Sequence, residues 1–448
     1  MSDAEPPAAP RPRSLGRTAL LLLPLQVVFR GGEAALPLLL ALWFGRSDAT
    51  NVQVLLAKFF AFSGAILVAS FQDSAFVPTL TKVRLETPGR MGEVAGSILT
   101  HTMVAGAGLA FLMGAGAAAW SHARYPPEIT ALARGLTFFY ALHMAALSVR
   151  AFLVGLLNAH HAYAAYPVAS GVGMLIALAT IFAAKGTLGV QAVPLGLLLG
   201  EVVASVVLFQ VARRHVTLRL GLRREPELRV FVGLVSAEVL GNVITRINPI
   251  VDQVVASWSS VKGGGTVLAY AFDVATLPTS LVQASFLSVM LSHLSEHSAH
   301  GDGEAFGRTL RRSLAWIVAL LMGASLLLGL VRRPLVRLLF AHGAMDEAGA
   351  DLISDVLPFA LVGAAPFGAL LVLARAHVAL RNTRIMITMG ILNAALNAGL
   401  NVVFFQVLGL GGIALSTSVM NLVVALVFWA RLGAPLARLG DATPKKAE

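Results

Sequence analysis

The sequence predicts an all-α integral membrane protein with about twelve transmembrane helices. Of its 448 residues, 57% are hydrophobic and 13% are charged, and the mean hydropathy is +0.77. A soluble protein carries roughly 25% charged residues. Apolar runs of about 20 residues, each able to cross roughly 30 Å of hydrocarbon, recur from Leu20 almost to the C-terminus. A membrane β-barrel would instead show short alternating segments.

The N-terminal segment, residues 1–17, is rich in Pro and Arg and is predicted to be disordered and cytoplasmic. No small-residue cleavage site follows a short apolar core, so the first apolar run is expected to remain as a transmembrane helix. The twelve spans are expected near residues 18–44, 52–72, 95–120, 129–157, 163–184, 189–212, 229–258, 265–291, 310–331, 351–378, 385–407 and 411–431.

The distribution of basic residues predicts the orientation. With a cytoplasmic N-terminus, the inside segments hold 21 Lys and Arg residues and the outside segments hold 7. Cytoplasmic loops collect basic residues, so both termini are predicted to lie inside, in the bacterial inner membrane. The same rule accounts for the net charge of +11 without a nucleic-acid partner. The basic cluster at 332–337 is the local exception and fits an interfacial or re-entrant segment.

The two halves of the chain contain short repeated patterns. "LVASF" (67–71) resembles "LVQASF" (281–286), and "RAFLVGLLNAHHAY" (150–163) resembles "RAHVALRNTRIM" (375–386). Repeats of this kind place a substrate site at their interface. We predict two six-helix lobes related by a pseudo-two-fold axis along the membrane normal. The predicted divisions are an N-lobe (18–212), a basic cytoplasmic linker (213–228), a C-lobe (229–432) and a cytoplasmic tail (433–448).

Ionisable residues mark spans 1, 2, 7 and 8 as the predicted walls of a hydrated cavity. Each such residue costs roughly 2.5–3.5 kcal/mol at the bilayer centre unless it faces water or a partner. The alternatives are buried ion pairs that only lock helices together and, for Lys58 and Asp252, side chains that reach the membrane interface. Glu201 in span 6 is isolated and is predicted to be structural. The candidate substrate-binding residues are Arg30, Glu33, Lys58, Arg246, Asp252 and Asp273.

Span 11 carries Asn393, Asn397 and Asn401, whose four-residue spacing places them on one helix face. One interpretation is an amide ladder between helices. The other is a set of oxygen ligands for Na⁺, completed by Glu238 or Asn242 from span 7, because amide and carboxylate oxygens suit a hard cation.

Several classes of chemistry have no support in the sequence. The chain has no cysteine, which excludes disulfides, thiolate metal sites and cysteine nucleophiles. It has no phosphate-cradling glycine loop, H-E-x-x-H or G-x-S-x-G motif. Its predicted loops are too short for an ATPase domain. The sequence therefore predicts a transporter and no enzyme, without a cofactor; Na⁺ or H⁺ is a candidate coupling ion, and the membrane potential is the alternative driving force.

Seven stretches, taken in their order, resemble the MurJ (MviN) family of lipid II flippases, which belongs to the multidrug/oligosaccharidyl-lipid/polysaccharide exporter superfamily. The resemblance covers about residues 18–432. The stretches are "LWFGRSDATN", "SAFVPTLTK", "INPIVDQVVASW", "AYAFDVATLP", "RRPLVRLLFAHGAM", "RAHVALRNTR" and "GGIALSTS".

The resemblance implies a V-shaped pair of six-helix lobes around a cationic cavity lined by spans 1, 2, 7 and 8. Arg30 matches the family's first cavity arginine. The other family arginines fall on Leu36, near Gly64 and Ala65, and on Asp273, where the charge is reversed. The resemblance also implies fourteen spans, two more than the twelve predicted here.

We predict a flippase that moves an undecaprenyl-diphosphate-linked sugar, lipid II or a related lipid-linked oligosaccharide, by alternating access. It would serve peptidoglycan or envelope polysaccharide biosynthesis. Its expected partners are this lipid, the bilayer and envelope-synthesis proteins. The alternatives are a cation-coupled multidrug exporter of the same superfamily and a non-transporting scaffold. Spans 1, 2, 7 and 8 hold three cations and four anions, which leaves flippase and exporter open.

Overall fold

The regular secondary structure is helical throughout the described chain, which confirms the predicted all-α class. The computed structural model describes residues 31–68, 75–223, 225–232, 247–380, 382 and 384–441. The helices are α1 (Gly31–Phe44), α2 (Asp48–Val68), α3 (Val77–Glu86), α4 (Met91–Arg124), α5 (Pro127–Ala159), α6 (Ala165–Leu188), α7 (Ala192–Ala212), α8 (226–232), α9 (Asn248–Ala256), α10 (Gly264–Ser285), α11 (Leu287–Ala299), α12 (Gly303–Leu330), α13 (Arg332–Phe340), α14 (Glu347–Leu361), α15 (Ala364–Ala379), α16 (Arg384–Leu408), α17 (Leu410–Ala430) and α18 (Gly433–Asp441).

Six segments of the described chain are long and apolar enough to cross a membrane. Helices α14 and α15 pass the same test together, with a bend of 41° between them, near Pro358. The twelve predicted spans are thus not all found among the described residues: one of the six segments, 165–212, contains both α6 and α7, and the search covers the described residues alone. The predicted seventh span is described only at its two ends. The six segments are 88–124, 127–159, 165–212, 303–330, 384–408 and 410–437.

Helices α2–α7 pack around one apolar core, which includes Phe60, Phe76 and Phe152. Within this unit α6 and α7 approach closely through glycines. A Cβ added at Gly173 would lie 2.7 Å from the carbonyl oxygen of Gly200. Small residues allow helix backbones to approach each other in hydrocarbon, where the hydrophobic effect supplies little attraction between helices.

Helix α1 connects the N-terminal half of the molecule, α2–α7, to its C-terminal half, α9–α18. Ala41 is fully buried with Val255 and Leu357, in a core otherwise built from the C-terminal half. Helix α1 also contacts the N-terminal half, where the Trp43 ring lies 6.0 Å from the Phe182 ring of α6. The C-terminal half also contains two further apolar cores, one between α11, α12 and α15 and one between α15, α16 and α17.

The predicted linker begins as an extended segment on the surface of α4. The Arg219 amide donates to the Gly92 carbonyl at 2.9 Å, and the Ser97 hydroxyl donates to the Arg223 carbonyl at 2.9 Å. A Cβ added at Gly96 would overlap the backbone carbonyl of Arg219. The linker backbone therefore lies directly on the glycine face of α4.

Charged side chains reinforce this contact. Glu93 forms ion pairs with Arg219 at 3.0 Å and Arg223 at 3.3 Å. Arg90 forms ion pairs with Glu225 and Glu227, which stand at the start of α8. The ring of Phe231, further along α8, stacks 5.1 Å from that of Phe76. The linker and α8 thus pack against the N-terminal half.

Replacing Gly96 with Ala should displace the linker from α4. The added methyl group meets a backbone carbonyl, so we expect a loss of about 1–3 kcal/mol in local stability. Limited trypsin digestion of the folded protein should then cleave faster after Arg219 and Arg223. Gly108→Ala is the matched control, because Gly108 lies on the same helix and a Cβ there would meet nothing within 4 Å. Equal cleavage rates in the two variants would contradict this account of the linker.

Candidate functional site

A cavity of about 340 Å³ lies where the two halves meet. The N-terminal half contributes Lys58 from α2. The remaining walls come from α9, α10, the α14–α15 bend and α17 of the C-terminal half, with Phe272 and Phe367 among the apolar residues. The cavity combines apolar walls with a few charged and amide groups, which is the usual composition of a ligand site.

Three ionisable side chains line the cavity: Lys58, Asp252 and Asp273. The Lys58 ammonium lies near enough to both carboxylates to act on them electrostatically. No carboxylate lies within 4.0 Å of Lys58 among the residues described, so the lysine is not held in a close ion pair there. The carboxylates of Asp252 and Asp273 therefore offset part of the positive charge of Lys58. The N–H groups of its ammonium remain able to donate to a ligand.

Asp252 is also the acceptor at the centre of a buried amide network. One of its carboxylate oxygens accepts from Asn397 Nδ2 at 2.9 Å and from Asn401 Nδ2 at 2.7 Å. Ser416 of α17 bonds to Asn401, and Asn248 of α9 bonds to Asn393. As the four-residue spacing predicts, the three asparagines of α16 share the face that contacts α9. Asn397 and Asn401 are fully buried.

The predicted site residues fall into three groups. Lys58, Asp252 and Asp273 line one cavity, and Asn393 and Asn397 lie beside it in the amide network. Glu33 is exposed on α1, a helix that contributes no residue to the cavity wall. The other four predicted residues, Arg30, Glu238, Asn242 and Arg246, lie outside the described residues.

The sequence interpretation missed several polar wall residues. Thr276 and Thr279 follow Asp273 at intervals of three along α10 and face the same cavity. This helical spacing is a signal that could have identified them. Gln253 and Asn421 also line the cavity, but single polar residues in apolar runs give no comparable pattern.

Glu201, predicted to be structural, forms a buried ion pair with Arg150. Their side chains are only 10% and 13% exposed. The pair joins α7 to α5, and the Tyr166 ring of α6 lies 5.6 Å from the Arg150 guanidinium carbon. Its place inside the N-terminal half fits a role in holding these three helices together.

A cluster of contacts that we call the latch closes the two halves together at one end of the cavity. The Arg46 guanidinium donates to both carboxylate oxygens of Asp346, at 2.9 and 3.1 Å, and to the Lys262 carbonyl at 3.4 Å. The Ala344 amide donates to the Leu42 carbonyl at 2.8 Å. Arg124 adds a bond to the Ser257 carbonyl at 2.5 Å.

The latch requires a glycine at Gly45. This residue has a φ of +59°, and a Cβ there would overlap the Ala344 carbonyl. The Arg46–Asp346 pair of the latch joins residues 300 positions apart, so no local sequence pattern predicts it.

Comparisons with known proteins bear on this arrangement. The family model described as "Lipid II flippase MurJ" matches residues 47–441. A probable lipid II flippase MurJ of Rhizobium meliloti is 27% identical over 380 residues, which are 80% of this chain and 70% of that protein. A probable lipid II flippase MurJ of Rhizobium tropici is 25% identical over 300 residues, which are 65% of this chain and 55% of that protein.

Solved structures share the fold. A lipid II flippase MurJ in an inward closed conformation superposes with a TM-score of 0.79 at 18% identity, covering 95% of this chain and 90% of that one. An inward-facing multidrug transporter of the MATE family gives a TM-score of 0.76 at 14% identity, covering 95% and 100%. An outward-facing MATE transporter gives 0.59 at 15% identity, covering 95% and 96%.

Replacing Asp346 with Asn should open the latch. An exposed bidentate pair is worth up to about 1 kcal/mol, so the separated population should rise about fivefold. Because the chain has no native cysteine, spin labels at Glu128→Cys and Ala348→Cys can report the distance between the halves. Asn retains the ability to accept from the Gly349 amide, so the start of α14 is preserved.

Acid should have the same effect on the wild type. The hydrogen bond from Arg46 lowers the pKa of Asp346 below its ordinary value. The latch is therefore fully formed above about pH 4 and is lost as the pH falls through the lowered pKa.

The control for Asp346→Asn is Asp355→Asn, which removes an exposed pair of 3.9 Å with Arg333. Identical distance distributions in the Asp346 and Asp355 variants would refute the latch.

Proposed function

The chain belongs to the MurJ family of lipid II flippases, and we propose that it moves lipid II or a related undecaprenyl-diphosphate-linked oligosaccharide across the bacterial inner membrane. The observation that carries this proposal is a cavity between the two halves that presents Lys58. The family is one of membrane transporters in peptidoglycan biosynthesis, which confirms the prediction of a transporter and no enzyme.

We propose that the fold contains twelve spans in two lobes. The proposal treats three pairs of consecutive helices as single broken spans: α2 with α3, α10 with α11, and α14 with α15. Together with α1, α4–α7, α12, α16, α17 and the seventh span expected from the sequence, they make two sets of six. The excess of basic residues supports cytoplasmic termini, which would place the latch on the periplasmic side.

Transport would proceed by rocking of the lobes about the cavity. The latch closes the cavity at one end. Opening the latch would expose the cavity to the periplasmic leaflet. The superpositions support this assignment, since the inward closed and the inward-facing structures fit with TM-scores of 0.79 and 0.76, against 0.59 for the outward-facing one.

Lys58 is the proposed contact for the diphosphate. An ammonium next to a phosphate forms charge-assisted hydrogen bonds, which are about twice as strong as neutral ones. Asp252 and Asp273 would orient Lys58 and keep it from binding the substrate too tightly to release. Arg30 and Arg246 remain proposed headgroup contacts, and Glu33 a proposed partner of Arg30.

The amide network is the proposed site of the coupling ion. Asp252, Asn397, Asn401 and Ser416 bring a carboxylate, two amides and a hydroxyl together in the protein interior. Rotation of the amides would direct their oxygens toward a cation, and hard oxygen ligands suit Na⁺. Protonation of Asp252 is the corresponding route for H⁺. Glu238 and Asn242 stay proposed ligands.

A multidrug exporter is the second candidate. The described cavity wall carries two carboxylates and one ammonium, a balance that also suits a cationic drug. The MATE superposition fits this function as well. The family model and the curated relatives support the flippase. Increased dye sensitivity after deletion of the gene, without a cell-wall defect, would support the exporter.

The direct test is rescue of a bacterium depleted of its own lipid II flippase. The wild-type gene should restore growth, and Lys58→Gln should not. Loss of one charged hydrogen bond costs about 1.5–3 kcal/mol, which is at least tenfold in headgroup affinity. Lys58→Arg keeps the charge and should rescue. If wild type and Lys58→Gln rescue equally at matched expression, Lys58 is not the diphosphate contact.

Sodium should stabilise the purified protein through Asp252. At ten times its Kd, Na⁺ should add about 1.4 kcal/mol relative to choline at equal ionic strength, measured as a rise in Tm. Asp252→Asn removes the charged ligand and should abolish the rise. Asp273→Asn is the control, because Asp273 lies in the same cavity but outside the amide network. An unchanged Na⁺ response in Asp252→Asn would exclude this ion site.

A further inference from the structure

A second cavity, of about 610 Å³, lies where α16 begins and α17 ends. Its walls come from the turn after α15, the first turns of α16, the end of α17 and the short helix α18. It is separate from the cavity that contains Lys58 and shares no wall residue with it.

Two arginines line this cavity, Arg384 and Arg431, and the part of its wall that the structure describes contains no carboxylate. Both side chains belong to exposed residues, and neither has an acidic group within 4.0 Å in the described part of the chain. The acidic groups of the neighbouring loop have other partners. Asp302 accepts from the Ala305 amide, and Glu304 pairs with Arg308.

The start of α16 adds to the positive potential. This helix has 25 residues and no acidic residue in its first turn. The first backbone N–H groups of a helix have no partner within the helix, and they favour an anion. Arg384, Ile385 and Thr388 of these first turns all line the cavity. Two guanidinium groups and a helix N-terminus therefore converge on one space.

The remaining wall is apolar. Leu380, Met389 and Leu439 face the same cavity. Helix α18 closes one side, with Leu436 and Leu439 packed against the core of α11, α12 and α15. An inorganic ion needs no such wall, whereas the glycerol and first methylenes of a lipid do.

The position along the membrane normal also fits a lipid. A helix of 25 residues is about 37 Å long, which exceeds the roughly 30 Å of the hydrocarbon layer. The helix therefore extends beyond the hydrocarbon, and its charged end, which begins at Arg384, is the end expected at the level of the headgroups, since the other end reads "FFQVL". Basic pockets between helix ends at this level are typical sites for anionic lipid headgroups.

We propose that this cavity binds the phosphate group of an anionic phospholipid, with Arg384 and Arg431 as the two donors. Arginine donates two parallel hydrogen bonds to a phosphate, which selects a tetrahedral anion over a simple negative charge. The bound lipid would tie the start of α16 to the end of α17 and to α18. The proposal does not depend on which substrate the central cavity takes.

The test uses the full-length protein in detergent and native mass spectrometry. The probes are phosphatidylglycerol, phosphatidylcholine and inorganic phosphate, each added alone, and phosphate added in competition. We expect phosphatidylglycerol to bind more tightly than phosphatidylcholine. The double variant Arg384→Gln/Arg431→Gln should bind phosphatidylglycerol about tenfold more weakly.

The matched control is Arg308→Gln/Arg312→Gln, which removes the same charge from α12 and should change binding by less than about twofold. Arg384→Lys/Arg431→Lys keeps the charge and should recover part of the affinity. If the Gln double variant does not fold, the two single variants replace it, each with an expected loss of about threefold.

The outcomes separate the sources of the phosphate. Weaker phosphatidylglycerol binding in the Arg384/Arg431 variant alone supports the lipid. Tight binding of inorganic phosphate that the same variant abolishes supports a site for free phosphate. Equal loss of phosphatidylglycerol in the two double variants, or no loss in either, would overturn the proposal.

Discussion

The acceptance of two amide hydrogen bonds by Asp252 is the interaction on which the centre of the molecule depends. An unpaired carboxylate is very costly in a medium of low polarity. Asn397 and Asn401 reduce this cost, and in doing so they fix α16 against α9. Ser416 extends the network to α17. The same carboxylate also reaches the wall of the central cavity, so one residue both holds three helices together and contributes one of the three charges of the cavity.

The two halves are held in different ways. Inside the N-terminal half, α6 and α7 meet at glycines, and the Arg150–Glu201 pair joins α5 to α7. Between the halves, the described polar contacts are concentrated in the latch, on exposed loops where a hydrogen bond is worth less. Strong contacts within a half and weak contacts between halves are what a transporter needs if each half is to move as a unit.

The sequence predicted the chemistry of this protein better than its geometry. Hydropathy and the scarcity of charge were sufficient for the membrane class, and the spacing of Asn393, Asn397 and Asn401 was sufficient for their common face. Charge alone singled out Lys58, Asp252 and Asp273, which line one cavity, since each is costly in hydrocarbon unless a cavity or partner receives it. Hydropathy could not predict where long apolar runs break, because a break such as that at Phe286 depends on tertiary packing. Arg46 and Asp346 could not be paired, because nothing in either loop indicates a partner 300 residues away.

The attachment of the linker to α4 has a mechanical consequence. Residues 213–223 lie on Gly92 and Gly96, and Phe231 stacks on Phe76, so this stretch of chain travels with the N-terminal half. These residues therefore do not form a flexible linker between the two halves. A change in the relative position of the two halves would therefore leave residues 213–223 in place against α4, and the connection to the C-terminal half begins only after Phe231.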